Sequence, residues 1–241
     1  MSDGWDESAA AWIAAMGEDG DYSRTYVLDP AMLDRLRRRT FGNALDIGCG
    51  EGRFCRIMQT LGIATVGIDP TVALIDRARE LDPSGHYRVA RAESLGITDE
   101  SFDLVGCYLS LIDIPDIASA ATEIERALRP GGTLLIANLS SFNTAGMPGG
   151  WQADASGVRR FSIDRYLEER AVWVSWDGIT VQNWHRPLSA YIAPFLERGL
   201  TLKYFAEPTP VGGDPMRAAH YRRVPFFNVM EWRKPATHGN E

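Results

Sequence analysis

Asn43-Ala44-Leu45-Asp46-Ile47-Gly48-Cys49-Gly50-Glu51-Gly52 decides how this chain is read. Ala44, Leu45 and Ile47 are apolar and precede three glycines, after which Phe54, Ile57, Met58 and Leu61 recur at helical spacing. The pattern predicts a buried strand, a glycine turn and a helix. Glycine lets the backbone approach a ligand without Cβ interference, and a helix start aims free N–H groups at it. The spacing is G-x-G-x-G. A dinucleotide fingerprint needs its third glycine one place later, where Arg53 stands. An acidic residue, Asp69, closes the next apolar run, Thr65-Val66-Gly67-Ile68. An ionised carboxylate only accepts hydrogen bonds and a ribose diol donates two, so the position suits a ribose. No Walker lysine follows the glycines, which argues against phosphate cradling.

Composition bounds the rest. The 241 residues fit one α/β domain with an insertion and can bury a sizeable core. Hydrophobic residues make up 45% and charged residues 24%, as in ordinary globular proteins. The net charge of −7 argues against a broad nucleic-acid surface. Cys49, Cys55 and Cys107 are odd in number, lack metal spacing and fit a reducing compartment. No stretch reaches the ~20 apolar residues of a membrane span. The expectation is a soluble, cytoplasmic protein with no metal, no nucleic-acid partner and no membrane contact.

Further motifs follow in order. Trp5, Ala9, Trp12, Ile13 and Met16 share a helical face, Gly17 to Asp21 breaks the helix, and Asp29-Pro30 opens another. Asp69-Pro70-Thr71 starts a helix to Leu81, His86 to Ala90 reads as strand three, and Phe102 onward as strand four. A helix over 118–128 ends at Arg129-Pro130-Gly131-Gly132, which turns the chain into strand five, Thr133 to Ala137. This alternation implies a parallel, doubly wound sheet. Residues 140–157, rich in Gly, Ser and Asn, read as a loop. Asp177-Gly178 between 171–176 and 179–184 is a hairpin signal. A helix through Tyr191 and Phe195, strand six over 200–206, a polar connection over 207–224 and a last strand from Phe226 complete the chain.

The segment from Leu45 to Gly52 resembles motif I of the class I S-adenosylmethionine-dependent methyltransferases. The run through strand four to Ile114-Pro115-Asp116 and the turn at Pro130-Gly131-Gly132 are similar to the same family. The resemblance implies a Rossmann-like fold: seven mostly parallel strands, the last antiparallel, with helices on both faces and here a hairpin-containing insertion after strand five. It implies one domain over 1–241, with a helical cover (1–42), a cofactor-binding core (43–138), a substrate-cover insertion (139–187) and the rest of the sheet (188–235). Its cofactor is S-adenosylmethionine, and Asp46, Gly48, Gly50, Asp69, Pro70, Ala92, Glu93 and Tyr108 fall at positions expected to hold it. The chain has Arg91-Ala92 where the family often has Asp-Ala, so Glu93 is the substitute for the adenine amino group, or else a surface carboxylate. Tyr22 and Trp151 are expected in the substrate pocket, and Arg24 near the methionine end of the cofactor; packing and surface roles are the alternatives.

The implied activity is methyl transfer to a small molecule, with a hydroxyl oxygen favoured over nitrogen or carbon. A catalytically silent cofactor-binding partner is the alternative from another class, and the glycine spacing disfavours a nicotinamide enzyme. A hydroxyl acceptor benefits from a general base. Of the four histidines, His86 lies in a strand, His220 in a connection and His238 in the tail, which leaves His185 beside the cover. Its ordinary pKa of about 6.5 suits proton removal at neutral pH. The competing role for His185 is to hold the hairpin against the sheet.

Overall fold

A computed structural model describes residues 3–17 and 19–236. His238 lies outside the described residues. In chain order the elements are α1 (Trp5–Met16), a π-helical turn (Arg24–Leu28), α2 (Asp29–Arg37), β1 (Asn43–Ile47), α3 (Arg53–Thr60), β2 (Ala64–Asp69) and α4 (Val72–Leu81). Then come β3 (His86–Val89), β4 (Phe102–Tyr108), α5 (Ile117–Ala127), β5 (Leu128–Leu139), α6 (Ser141–Ala145), β6 (Trp151–Ala153) and β7 (Arg159–Phe161). Last are β8 (Arg170–Trp176), β9 (Ile179–His185), α7 (Leu188–Glu197), β10 (Thr201–Ala206), α8 (Pro215–Tyr221) and β11 (Phe227–Arg233).

Seven strands form one sheet in the order β10-β11-β5-β4-β1-β2-β3. β1 to β5 run parallel, and β11 is antiparallel to both β5 and β10. Side chains alternate across a strand, so each face builds its own core. Leu45, Ile47, Val105, Leu134 and Ile136 pack on one side with Ile124 of α5 and Phe195 of α7. Ala44, Leu104, Leu135 and Val229 pack on the other with Met32 of α2 and Met58 of α3. Among the described residues no helix is long and apolar enough to cross a membrane.

Asp29-Pro30 opens α2 as expected, with Pro30 in the first turn, where a missing N–H costs nothing. A π-helical turn leads directly into it, the Asp29 N–H donating to the Arg24 carbonyl. Three local expectations are corrected. Arg129-Pro130-Gly131-Gly132 is not a separate turn but a bulge inside β5, because pairing steps from Phe102–Leu128 directly to Leu104–Thr133. Gly131 takes φ +72° there. Residues 140–157 hold α6 and β6, and β6 pairs with β7 as a second small hairpin. The 207–224 connection contains α8, whose N-terminus is capped by the Asp214 carboxylate accepting from the Arg217 N–H at 2.7 Å.

The β8–β9 hairpin turns at Asp177 and Gly178, with φ +46° and +80°. Both central residues are left-handed, as a two-residue turn between twisted strands requires. Its β9 strand is stitched to α1: Ser8 Oγ donates to the Thr180 carbonyl at 3.0 Å and accepts from the Thr180 N–H at 2.9 Å. At its foot, the Trp184 N–H donates to the Ile112 carbonyl at 2.6 Å. The hairpin thus ties the N-terminal helix to the loop after β4.

His185, at the end of β9, is 1% exposed and is not placed as a base. Its Nε2 lies 2.9 Å from the Tyr166 carbonyl, which can only accept, so Nε2 carries the proton. Nδ1 then accepts from the Thr144 hydroxyl at 2.8 Å. Both nitrogens are committed to holding α6 and the 162–169 segment against the hairpin, and the ring lines none of the chambers described below. Burial, with the Arg170 charge assisting, lowers its pKa, opposed by the bond to Tyr166. The unfolded chain therefore takes up the proton first as pH falls. The stability that neutral His185 contributes is complete above about pH 6.5 and is lost as pH drops below it. His185→Ala is expected to destabilise the fold by about 2–3 kcal/mol at pH 8 through lost hydrogen bonds and a cavity. The variant should also show a smaller stability loss than the parent between pH 7 and 5, measured by urea denaturation at each pH.

Candidate active site

The site lies where β1, β2 and β4 end. At Gly48 and Gly50 the chain turns with φ of +71° and +54°, and the N–H groups of Gly48 and Cys49 both donate to the Ile68 carbonyl at the end of β2. A Cβ on Gly48 would stand 2.3 Å from Ser110 Cβ, so glycine is required there by packing. At Gly50 the nearest obstacle is Trp12 Nε1 at 4.0 Å, which leaves that face of the turn open to the cleft.

Asp69 is 7% exposed rather than at an open strand end. Its Oδ2 accepts from the Gly50 N–H at 3.0 Å and its Oδ1 from the Thr71 N–H at 2.9 Å. Burial raises its pKa while these two N–H groups pull it back. The Thr71 side chain bonds to it as well, and the carboxylate lines the cleft with acceptor capacity left over. Asp46 is 1% exposed and lines a neighbouring recess rather than this chamber. Cys55 Sγ donates to its Oδ2 at 3.5 Å, its Oδ1 has no hydrogen-bond partner, and burial pushes its carboxyl up to about 7.

Three chambers adjoin here, two of them lined by the glycine turn and the other reached through shared wall residues. The first, of about 100 Å³, is lined by Gly48, Gly50, Asp69, Pro70, Ala92, Glu93 and Tyr108, with Ile47, Leu74 and Ile114 as apolar walls. Asp3, Trp5 and Trp12 from the N-terminal segment also line it. The second, of about 260 Å³, lies between α1, the hairpin and α8 and is mainly apolar, with six aromatic rings in its lining. The third, about 50 Å³, is the recess over Asp46 and Glu51. Arg24 and Trp12 line all three, and Trp5, Leu109 and Asp113 line the first two.

Seven of the eight residues expected to hold a cofactor thus line one chamber, and Asp46 lines its neighbour. Tyr108 also donates from its hydroxyl to Asp29 Oδ1 at 2.7 Å and meets Phe54 edge-on. Glu93 faces the Arg91 guanidinium at 3.5 Å. Arg24 pairs with Asp21 at 3.0 Å and lies over the Trp12 ring, 4.8 Å from its centre. Tyr22 and Trp151, expected in the substrate pocket, line none of these chambers. Tyr22 donates to the Gly212 carbonyl at 3.1 Å and packs on Tyr26 and Tyr221. Trp151 packs edge-on against Phe161 and beside His220, with the Arg223 guanidinium over its ring. Both rings are instead taken up by partners near α8, Gly212 and Tyr221 for Tyr22 and His220 and Arg223 for Trp151. Of the hairpin tryptophans, Trp176 lines the second chamber, Trp173 is half-exposed and Trp184 lies under Arg186.

Sequence reasoning missed Asp3, Leu109, Ser110 and Asn183, and placed Trp5 and Trp12 only as one helix face. Leu109 adopts φ +58°, a conformation that a leucine leaves no trace of in sequence. Asn183 alternates inward along β9 with Ile179 and Val181, and a buried amide in an apolar stripe is a readable signal.

Comparison with known proteins agrees with this geometry. The family described as "Methyltransferase domain" matches residues 45–136. The malonyl-[acyl-carrier protein] O-methyltransferase of Enterobacter lignolyticus is 30% identical over 173 residues, which cover 72% of this chain and 68% of that protein. The protein of the same name from Salmonella typhimurium is 30% identical over 142 residues, 59% of this chain and 55% of that protein. The chain therefore spans little more than half the length of some curated relatives. The crystal structure of an S-adenosylmethionine-dependent methyltransferase from Mesorhizobium loti superimposes with a TM-score of 0.76 at 27% identity, covering 90% of this chain and all of that one. With the sheet order, the glycine turn and these relatives in agreement, the chain belongs to the class I S-adenosylmethionine-dependent methyltransferases.

Proposed function

We propose that the protein transfers a methyl group from S-adenosylmethionine to the oxygen of a small molecule. The observation that carries this reading is the joining of two unlike chambers at the sheet edge. One is lined by an open glycine turn and a strand-end carboxylate, the other by aromatic rings, and Trp5, Trp12, Arg24, Leu109 and Asp113 belong to both. A donor and an acceptor held on either side of such a boundary meet in one orientation, and alignment is most of what an already activated methyl donor requires.

The residues present fit the donor. Asp69 offers acceptor positions to the ribose hydroxyls, and Ile47, Leu74, Ala92 and Ile114 give apolar faces for a purine. Glu93 accepts from its amino group, and Arg24 faces the amino-acid end. When bound, the donor supplies a methyl on a positively charged sulfur. Segments 1–42 and 139–187 act as covers on the core of 43–138, with 188–235 completing the sheet. An oxygen acceptor is favoured because the curated relatives named above are O-methyltransferases.

Three outcomes are expected. S-adenosylhomocysteine at a hundredfold excess over its Kd should raise the melting temperature by about 5–10 °C, while NAD leaves it unchanged. A shift with NAD alone removes the reading. Asp69→Ala should weaken S-adenosylhomocysteine by about 1.5–3 kcal/mol, measured by calorimetry below the variant's melting temperature. The same variant should melt earlier than the parent, because the Gly50 and Thr71 N–H groups lose their acceptor. Finally, ligand binding should alter tryptophan emission through Trp5 and Trp12, and a W5F/W12F double variant should bind with little or no such change. An emission change of parental size in that variant would move the donor away from α1.

A further inference from the structure

The second chamber is walled by rings: Trp5, Trp12, Trp176, Tyr221, Phe226 and Phe227. Apolar cavities of about 150 Å³ hold a benzene molecule, so about 260 Å³ admits a substituted or fused ring. Ring faces and edges of opposite polarity are suited to an aromatic guest.

Asp113 is set into this lining at the boundary with the donor chamber. Among the described residues it forms no ion pair. Asn183 Nδ2 donates to its Oδ1 at 2.6 Å, and the Trp5 side chain also bonds to it. The backbone on either side is fixed by the Trp184 N–H on the Ile112 carbonyl and by the Arg186 guanidinium on the Ile114 carbonyl at 2.8 Å. The other charged and titratable groups around it are Asp3, Asp69, Arg91, Glu93 and Tyr108 of the donor chamber, Asp21 and Tyr221 of the second, Arg24 on the shared wall, and Arg186 and Tyr191 beneath the loop. Burial drives its carboxyl well above the ordinary range, against the bonds from Asn183 and Trp5, and the charges of Asp69 and Asp3 add to the rise. A carboxylate so placed is a strong proton acceptor when ionised. A bound sulfonium favours that ionised form, because it brings positive charge to the same boundary.

We propose that the second chamber receives a phenol, its ring among the tryptophans and phenylalanines and its hydroxyl donated to Asp113, which takes the proton during methyl transfer. The inference rests on the reading of the cleft as a methyl-transfer site. The phenol oxygen forms its bond to the methyl carbon as the carbon–sulfur bond breaks with its electron pair left on sulfur. The hydroxyl proton passes to the Asp113 carboxylate and is later released to water. The cationic sulfonium and the anionic carboxylate are thereby converted to a neutral thioether and a neutral acid, with a neutral aryl methyl ether as product. An ammonium guest fits less well, since it would place a second cation beside the sulfonium with one carboxylate between them.

The test uses the full chain saturated with S-adenosylhomocysteine and follows 2-naphthol and 2-methoxynaphthalene by their fluorescence. The parent should bind 2-naphthol at least tenfold more tightly, and Asp113→Asn, which keeps the size and an acceptor for Asn183, should erase most of that preference. Equal binding of the two compounds by the parent, or no binding of either, overturns the proposal without any variant. With methyl-labelled donor at saturating concentration and a panel of phenols, Asp113→Asn should lower kcat by about 10²–10⁴-fold, a loss that extra donor does not recover. Unchanged kcat in a folded variant overturns the role of Asp113. Transfer to amines or carboxylates but to no phenol overturns the acceptor class and leaves the methyltransferase reading standing. Failure of S-adenosylhomocysteine to bind the parent removes both.

Discussion

A buried cation holds the site together. Arg186 is 1% exposed, yet its guanidinium donates to the carbonyls of Ile114 and Pro115 at 2.8 and 2.7 Å and pairs with Glu169 at 3.1 Å. Its plane lies over the Trp184 ring, 4.7 Å from the centre. A charge out of water is tolerated only when its donors are satisfied, and here they are satisfied by the loop after β4. That loop carries Asp113, so the position of a boundary carboxylate depends on an arginine beyond the hairpin. Arg186 follows directly on β9, which makes hairpin docking and loop geometry one event rather than two.

The charge balance of the cleft points the same way as its shape. Asp3, Asp69 and Asp113 line the donor chamber with Glu93, and Asp46 and Glu51 lie beside it, while the cations of the same linings are already engaged, Arg24 by Asp21, Arg91 by Glu93 and Arg53 by Asp29. Carboxylates in a desolvated cluster raise one another's proton affinity. Asp46 shows the consequence, pushed up to about 7 by burial first and by Asp69 and Glu51 after it. Its folded pKa lies above its unfolded one, so the stability tied to its protonation is complete below about pH 4 and is lost as pH rises through about 7. A cationic ligand relieves this strain near neutral pH, and a sulfonium is such a ligand, whereas a dinucleotide would add phosphate charge to the cluster.

The sheet and the donor chamber were legible because they rest on short-range rules. Alternating apolar runs, the glycines at 48, 50 and 52, the Asp69-Pro70 helix start and the Asp177-Gly178 turn each dictate local backbone with little help from elsewhere. What escaped depends on distant partners. α8 is a seven-residue helix between prolines and glycines, and its buried residue, Ala218, gives no helical stripe. The β6–β7 hairpin has three-residue strands anchored by packing of Phe161 on Trp151 and Phe142 and by contacts of Trp151 and Arg159 with the distant His220 and Arg223. The Pro130-Gly131-Gly132 run carries a strong breaking signal, yet after α5 ends the chain passes through it within β5 as a bulge. For His185, elimination among four histidines assumed that a polar ring near the cover faces the cleft. A buried imidazole with two hydrogen-bond partners satisfies the same sequence, and only the fold decides between them.

The joint between the two chambers is itself strained. Leu109 is a non-glycine residue at φ +58°, a conformation that costs about 1 kcal/mol or more for such a side chain. Its N–H is nevertheless held by the Ala137 carbonyl at 2.8 Å, so the neighbouring strand enforces the turn. The turn brings Ser110 under the glycine loop, where its hydroxyl donates to the Ile47 carbonyl at 2.6 Å and its Cβ fills the space that a side chain at position 48 would need. A glycine at that position and a left-handed leucine at the end of β4 are therefore two halves of one constraint. Relaxing Leu109 to an extended backbone would lift Ser110 away from Gly48 and swing Asp113, four residues on, from the boundary it occupies. The strain sits at the position where donor and acceptor chambers meet, and it is there that a small backbone change would most disturb their alignment.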